Sequence, residues 1–126
     1  MTILLVEDQA AIRMLAEDVL LEAGHKVLTA WNGRIAFELA EKHQGEIHLL
    51  VTDVVMPEMS GPELASKLSL SRPNLLVLYV SGFTDHALLH RGAIEQGTAF
   101  LQKPFLPESL LAKVDALCHK DMSASA

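Results

Sequence analysis

Five polar residues of this 126-residue chain stand where short apolar runs end. Thr2–Val6 runs into Glu7 and Asp8, Ile47–Thr52 into Asp53, Leu75–Val80 into Ser81, and Thr98–Leu101, one residue on, into Lys103. If those ends share an edge, three carboxylates meet and repel one another by several kcal/mol at an effective dielectric of about 20. At least one pKa would then rise unless a lysine and a cation compensate. Oxygen ligands with few carboxylates suit Mg²⁺, which keeps waters and leaves positions for phosphate oxygens. No Cys or His lies at these ends, which disfavours zinc. Charge then divides the labour. Glu7 and Asp8 would hold the metal. Asp53 is both ligand and nucleophile, able to form an acyl phosphate. Lys103 and Mg²⁺ neutralise the phosphoryl oxygens, and the Ser81 hydroxyl donates to one of them. Singly, each residue has a plainer reading: Asp53 a turn, Glu7-Asp8 a solvated helix start, Ser81 a cap, Lys103 a surface lysine.

The elements that would position these groups follow from periodicity. The run before Asp53 has no polar face, as in a parallel strand covered on both sides, and open α/β sheets bind ligands at the carboxyl ends of their strands. Pro57 forbids a helix at Met56. Helices are expected at Gln9–Ala23, stopped by Gly24, at Ile35–Ala40, ended near Gly45, at Pro62–Leu70, at Asp85–Gln96 and at Pro107–His119. With strands at Thr2–Val6, Lys26–Ala30, Ile47–Asp53, Leu75–Val80 and Thr98–Leu101, the alternation is five times βα. That pattern implies a parallel sheet with helices on both faces.

The length is that of one domain with one real core, and half the residues are hydrophobic. Residues 1–121 are expected to form that domain, with 122–126 a frayed polar tail. Apolar runs are too short to span a bilayer and no signal peptide is evident; lone Cys118 fits a reducing cytoplasm. The net charge of −6 argues against direct nucleic-acid binding. A cytoplasmic domain without membrane contact is the expectation.

The set of residues resembles the response-regulator receiver domains of two-component signalling, over essentially the whole chain. The acidic pair corresponds to Glu7-Asp8, the phosphoacceptor to Asp53, the Ser/Thr switch to Ser81 and the lysine to Lys103. Met56-Pro57, Gly61 and Lys103-Pro104-Phe105 match further family motifs. The resemblance implies a flavodoxin-like doubly wound (βα)5 fold with strand order 2-1-3-4-5. It also implies a third metal contact from the Val55 carbonyl, Phe100 as aromatic switch, and a cis Lys103–Pro104 bond. Mg²⁺ is the implied cofactor, and a histidine kinase or phosphotransfer domain the implied partner. The implied role is that of a signalling phosphoacceptor, not a separate enzyme, that switches the surface of its fourth helix, fifth strand and fifth helix. A homodimer through that surface is compatible with it. Phe100 lacks a hydroxyl where many relatives have Tyr, so a step needing a phenolic hydrogen bond is lost. Tyr79–Asp85 also resembles receivers of hybrid sensor histidine kinases, in which case the parent protein would be a kinase.

Two other classes compete. A Mg²⁺-dependent aspartyl-nucleophile phosphatase would carry a second aspartate two residues after Asp53, where Val55 stands. A pseudo-receiver that takes no phosphate would not need the acid pair, Asp53 and Lys103 together. His86 and His90, four apart, share a helix face that reads as solvated, not as a zinc site. Trp31 and Phe37 read as packing or partner surface.

Overall fold

Each apolar run becomes a strand, and every strand pairing is parallel. The computed structural model describes residues 1–82 and 99–125. Its strands are β1 (Thr2–Val6), β2 (Lys26–Ala30), β3 (Leu49–Asp53), β4 (Leu76–Ser81) and β5 (Ala99–Gln102). Its helices are α1 (Ala10–Glu22), α2 (Gly33–Lys42), α3 (Gly61–Ser71) and a C-terminal helix, Pro107–Ser125. The sheet order is β2-β1-β3-β4-β5, the flavodoxin-like order expected. The expected helix Asp85–Gln96, with His86 and His90, lies outside the described residues.

Alternation along the central strands divides the core in two. Ile3, Leu5, Leu49, Val51, Leu78 and Val80 face Ala16 and Leu20 of α1 and Leu110 and Val114 of the C-terminal helix. Leu4, Val6, Leu50 and Tyr79 face Ala36 and Ala40 of α2 and Leu64 and Leu68 of α3. β3 lies at the centre with all five residues buried. Each such Leu or Val contributes about 1.5–3 kcal/mol by leaving water, so the strand that ends in Asp53 is among the most firmly fixed.

Helix ends follow local chemistry. The Asn32 side chain accepts from Ile35 N at 2.8 Å to start α2. Ser60 accepts from Glu63 N at 3.2 Å to start α3, with Pro62 in its first turn. Gly24, at φ 94°, closes α1 as a left-handed stop. α2 stops at Lys42, short of the expected Gly45. Arg72 accounts for this, donating to the carbonyls of Ala40, His43 and Gly45 at 2.8–3.2 Å and so capping the helix from outside. β3 begins at Leu49, although His48 still bonds both neighbours through Thr2 O and Leu76 N. That is a difference of boundary only. The last helix continues past His119 to Ser125, and residues 120–125 contain no Gly or Pro to stop it. Among the described residues no helix is long and apolar enough to cross a membrane.

Candidate functional site

Because the strands are parallel, their carboxyl ends lie along one edge. Glu7 follows β1, Asp53 ends β3, Ser81 ends β4 and Lys103 follows β5. The register sets Asp53 beside Val80, one residue short of Ser81. Lys103 N donates to Ser81 O at 2.8 Å, which ties the lysine's backbone to the end of β4. The Lys103–Pro104 peptide is cis, as expected.

The Lys103 ammonium bridges two carboxylates, at 2.6 Å from Glu7 Oε1 and 2.7 Å from Asp53 Oδ1. Glu7 and Asp53 are almost fully buried, at 3% and 5% exposure, whereas Asp8 is exposed. One carboxylate oxygen from each of Glu7, Asp8 and Asp53 lies within 4.8 Å of the others. Beneath them the apolar packing of Leu5, Ile12, Val51, Phe105 and Leu110 leaves a void of only about 10 Å³, at the lower limit for one water. Burial pushes the Asp53 carboxyl up to about 8; the Lys103 hydrogen bond opposes the shift, and the Glu7 carboxylate adds to it. Burial works against the Lys103 ammonium as well, but Asp53 and Glu7 outweigh it and hold its pKa above the usual lysine value. One ammonium facing three carboxylates leaves an excess of negative charge. An oxygen-liganded divalent cation is the species that such a donor set fits.

The remaining expected residues lie on or near this edge. Val55 is exposed on the loop after Asp53. Gly61 N donates to Val54 O at 2.8 Å, and a methyl group on Gly61 would collide with the Asp53 backbone oxygen. Ser81 is buried. Phe100 is farther back, half-buried on β5 and stacked on Tyr79 with ring centroids 5.9 Å apart.

Two contributors are not legible from spacing. The Thr52 hydroxyl, fully buried, donates to Asp53 O at 3.1 Å. Arg13 donates from Nη1 to Glu7 O at 2.8 Å. A threonine inside an apolar run and an arginine in a first helical turn are the only sequence signals, and neither names its acceptor.

The family model described as the response regulator receiver domain matches residues 3–115. The chain belongs to that family. Receiver domains are the signalling modules of two-component systems, and they bind Mg²⁺ in an acidic pocket of the kind formed by Glu7, Asp8 and Asp53. This receiver domain is 37% identical over 119 residues to the sensor kinase CckA of Brucella abortus (strain 2308), covering 94% of this chain and 13% of that protein. It is 33% identical over 115 residues to the response regulator receiver protein CpdR of the same strain, covering 91% of this chain and 94% of that protein. The crystal structure of the receiver domain from hybrid histidine kinase CckA superposes with a TM-score of 0.78 at 32% identity, covering 93% of this chain and 98% of that one. The chain therefore spans about an eighth of one curated relative and nearly all of another. Membership of the family implies a histidine kinase or phosphotransfer partner.

Proposed function

We propose that this receiver domain takes a phosphoryl group from a phosphohistidine donor onto Asp53 in a Mg²⁺-dependent reaction. The observation that carries this reading is the Lys103 ammonium held between Glu7 Oε1 and Asp53 Oδ1 beside a third carboxylate. Glu7, Asp8, Asp53 and the Val55 carbonyl would hold the cation, which supplies positive charge to the phosphoryl oxygens. A protonated carboxyl is a poor nucleophile, and burial raises the proton affinity of Asp53. Charge compensation at the pocket is therefore what frees the attacking oxygen. An Asp53 carboxylate oxygen forms the new bond to phosphorus while the phosphorus–nitrogen bond to the donor imidazole breaks, its electron pair leaving with the ring. Lys103 then pairs with a phosphoryl oxygen, and the Ser81 hydroxyl donates to another. The movement of Ser81 changes the packing of Phe100 and with it the surface that includes β5 and the C-terminal helix.

Intact-mass spectrometry after treatment with acetyl phosphate tests the assignment. Wild-type protein with Mg²⁺ gains one phosphoryl group, and protein in EDTA gains none. An adduct that persists in Asp53→Asn overturns the reading.

A further inference from the structure

We infer that Arg13 is a positioning residue of the acidic pocket, fixing the turn that aims Asp8 and thereby setting the affinity for the divalent cation. The inference rests on the metal-binding part of the function proposed above. Helix α1 starts without the usual device: Gln9 at its cap makes no side-chain capping bond, and its first turn holds no acid. Glu7 and Arg13 close the turn instead. Glu7 Oε2 accepts from Gln9 N at 2.9 Å, and Glu7 O accepts from Arg13 Nη1 at 2.8 Å. Arg13 N donates to Gln9 O at 2.9 Å as the first backbone bond of α1, so the guanidinium returns from the first turn of the helix to the residue before Asp8.

Asp8 is the residue spanned by that grip. Its carboxylate is exposed, and among the described residues no donor holds it. Glu7, by contrast, is held at every polar atom: its N–H by Ala30 O, its carbonyl by Arg13, its carboxylate by Gln9 N and Lys103. The direction of Asp8 is therefore set by the backbone of the turn, and the side chain fixing that backbone from outside is Arg13.

Two effects of Arg13 on a cation oppose each other. Its charge repels the cation, a contribution that salt screens only in part for a half-buried group. Its hydrogen bond orients a ligand, and partners behind metal ligands commonly change affinity ten- to a hundredfold. The second effect dominates in this arrangement, since the guanidinium bonds a carbonyl behind the carboxylates.

The test is a Mg²⁺ titration of the full chain without phosphodonor, at about 0.15 M salt. It is followed through the Asp8 and Gln9 amide resonances, with thermal denaturation to confirm folding. Arg13→Met should bind Mg²⁺ at least about tenfold more weakly, with faster amide exchange at Asp8 and Gln9. Arg13→Lys, which keeps the charge and one donor, should fall between the two. Affinity that is unchanged or tighter in a folded Arg13→Met overturns the inference and leaves the phosphoacceptor reading standing. If Arg13→Met does not fold, Arg13→Lys decides: several-fold weaker binding supports the inference and wild-type affinity overturns it. Wild-type protein that binds no Mg²⁺ removes the metal reading and this inference together.

Discussion

Burial at the end of β3 disfavours the charged form of Asp53. Its carboxyl titrates near 3.8 when free of the fold and at about 8 within it, chiefly because burial disfavours the charge. Between those values the folded state binds more protons than the unfolded state, so stability falls as pH rises through that window. The loss is on the order of a few kcal/mol for a group this buried. The raised pKa of Lys103 contributes no slope there, since it titrates above the usual lysine range. Asp53→Asn keeps the shape of the neutral acid and removes the ionisation. In EDTA, its melting temperature should match the wild type near pH 4 and exceed it increasingly toward pH 8. Parallel curves for the two proteins would show that Asp53 does not titrate in that window.

At the scale of elements, the site depends on how closely α3 approaches the end of β3. Gly61 opens α3 against the Asp53 backbone, and a methyl group there would push Asp53 out of line. Gly61→Ala should therefore cost about 1–3 kcal/mol and also slow Asp53 phosphorylation by acetyl phosphate. Ser60→Ala, which removes the cap of the same helix, should cost about 1 kcal/mol with the phosphorylation rate unchanged. Denaturant unfolding and a phosphorylation time course separate the two, and equal rates for Gly61→Ala and wild type would refute the positional argument. The same elements show what the sequence made legible. Apolar runs ending at or next to Glu7, Asp53, Ser81 and Lys103 identified the strands and the edge that gathers these side chains, because a doubly covered strand tolerates a polar group mainly where it ends. Helix ends were less legible. α2 ends at Lys42, where Arg72, distant in sequence, takes the Ala40 carbonyl and those of His43 and Gly45 just beyond the helix, and Arg13 reaches Glu7 O through a side-chain geometry that spacing does not encode.

Across the whole molecule, the site straddles the sheet, which would give a phosphoryl group on Asp53 mechanical reach. By alternation Asp53 continues the face of Val51, which packs on α1 and the C-terminal helix, whereas Ser81 continues the face of Tyr79, which packs toward α2 and α3. A ligand on Asp53 that draws the Ser81 hydroxyl toward it therefore couples one face to the other. On the proposed switch Phe100 would be the next residue to respond, because its ring stacks on Tyr79 and packs against the buried cluster of that face. Partial burial of such a ring is worth about 1–2 kcal/mol, which biases a two-state equilibrium by roughly ten- to thirtyfold. A bias of that size would leave both ring positions of the proposed switch populated before phosphorylation. The absence of a phenolic hydroxyl on Phe100 leaves packing, not a hydrogen bond, to choose between them. A stable phosphoryl mimic added with Mg²⁺ should shift the resonances of Tyr79, Phe100 and the C-terminal helix together. In Ser81→Ala the mimic should still perturb Asp53 and its neighbours, while the shifts at Tyr79 and Phe100 should fall to a small fraction of the wild-type values. Full shifts at Phe100 in that variant would show that the signal crosses the sheet by another route than the Ser81 hydroxyl.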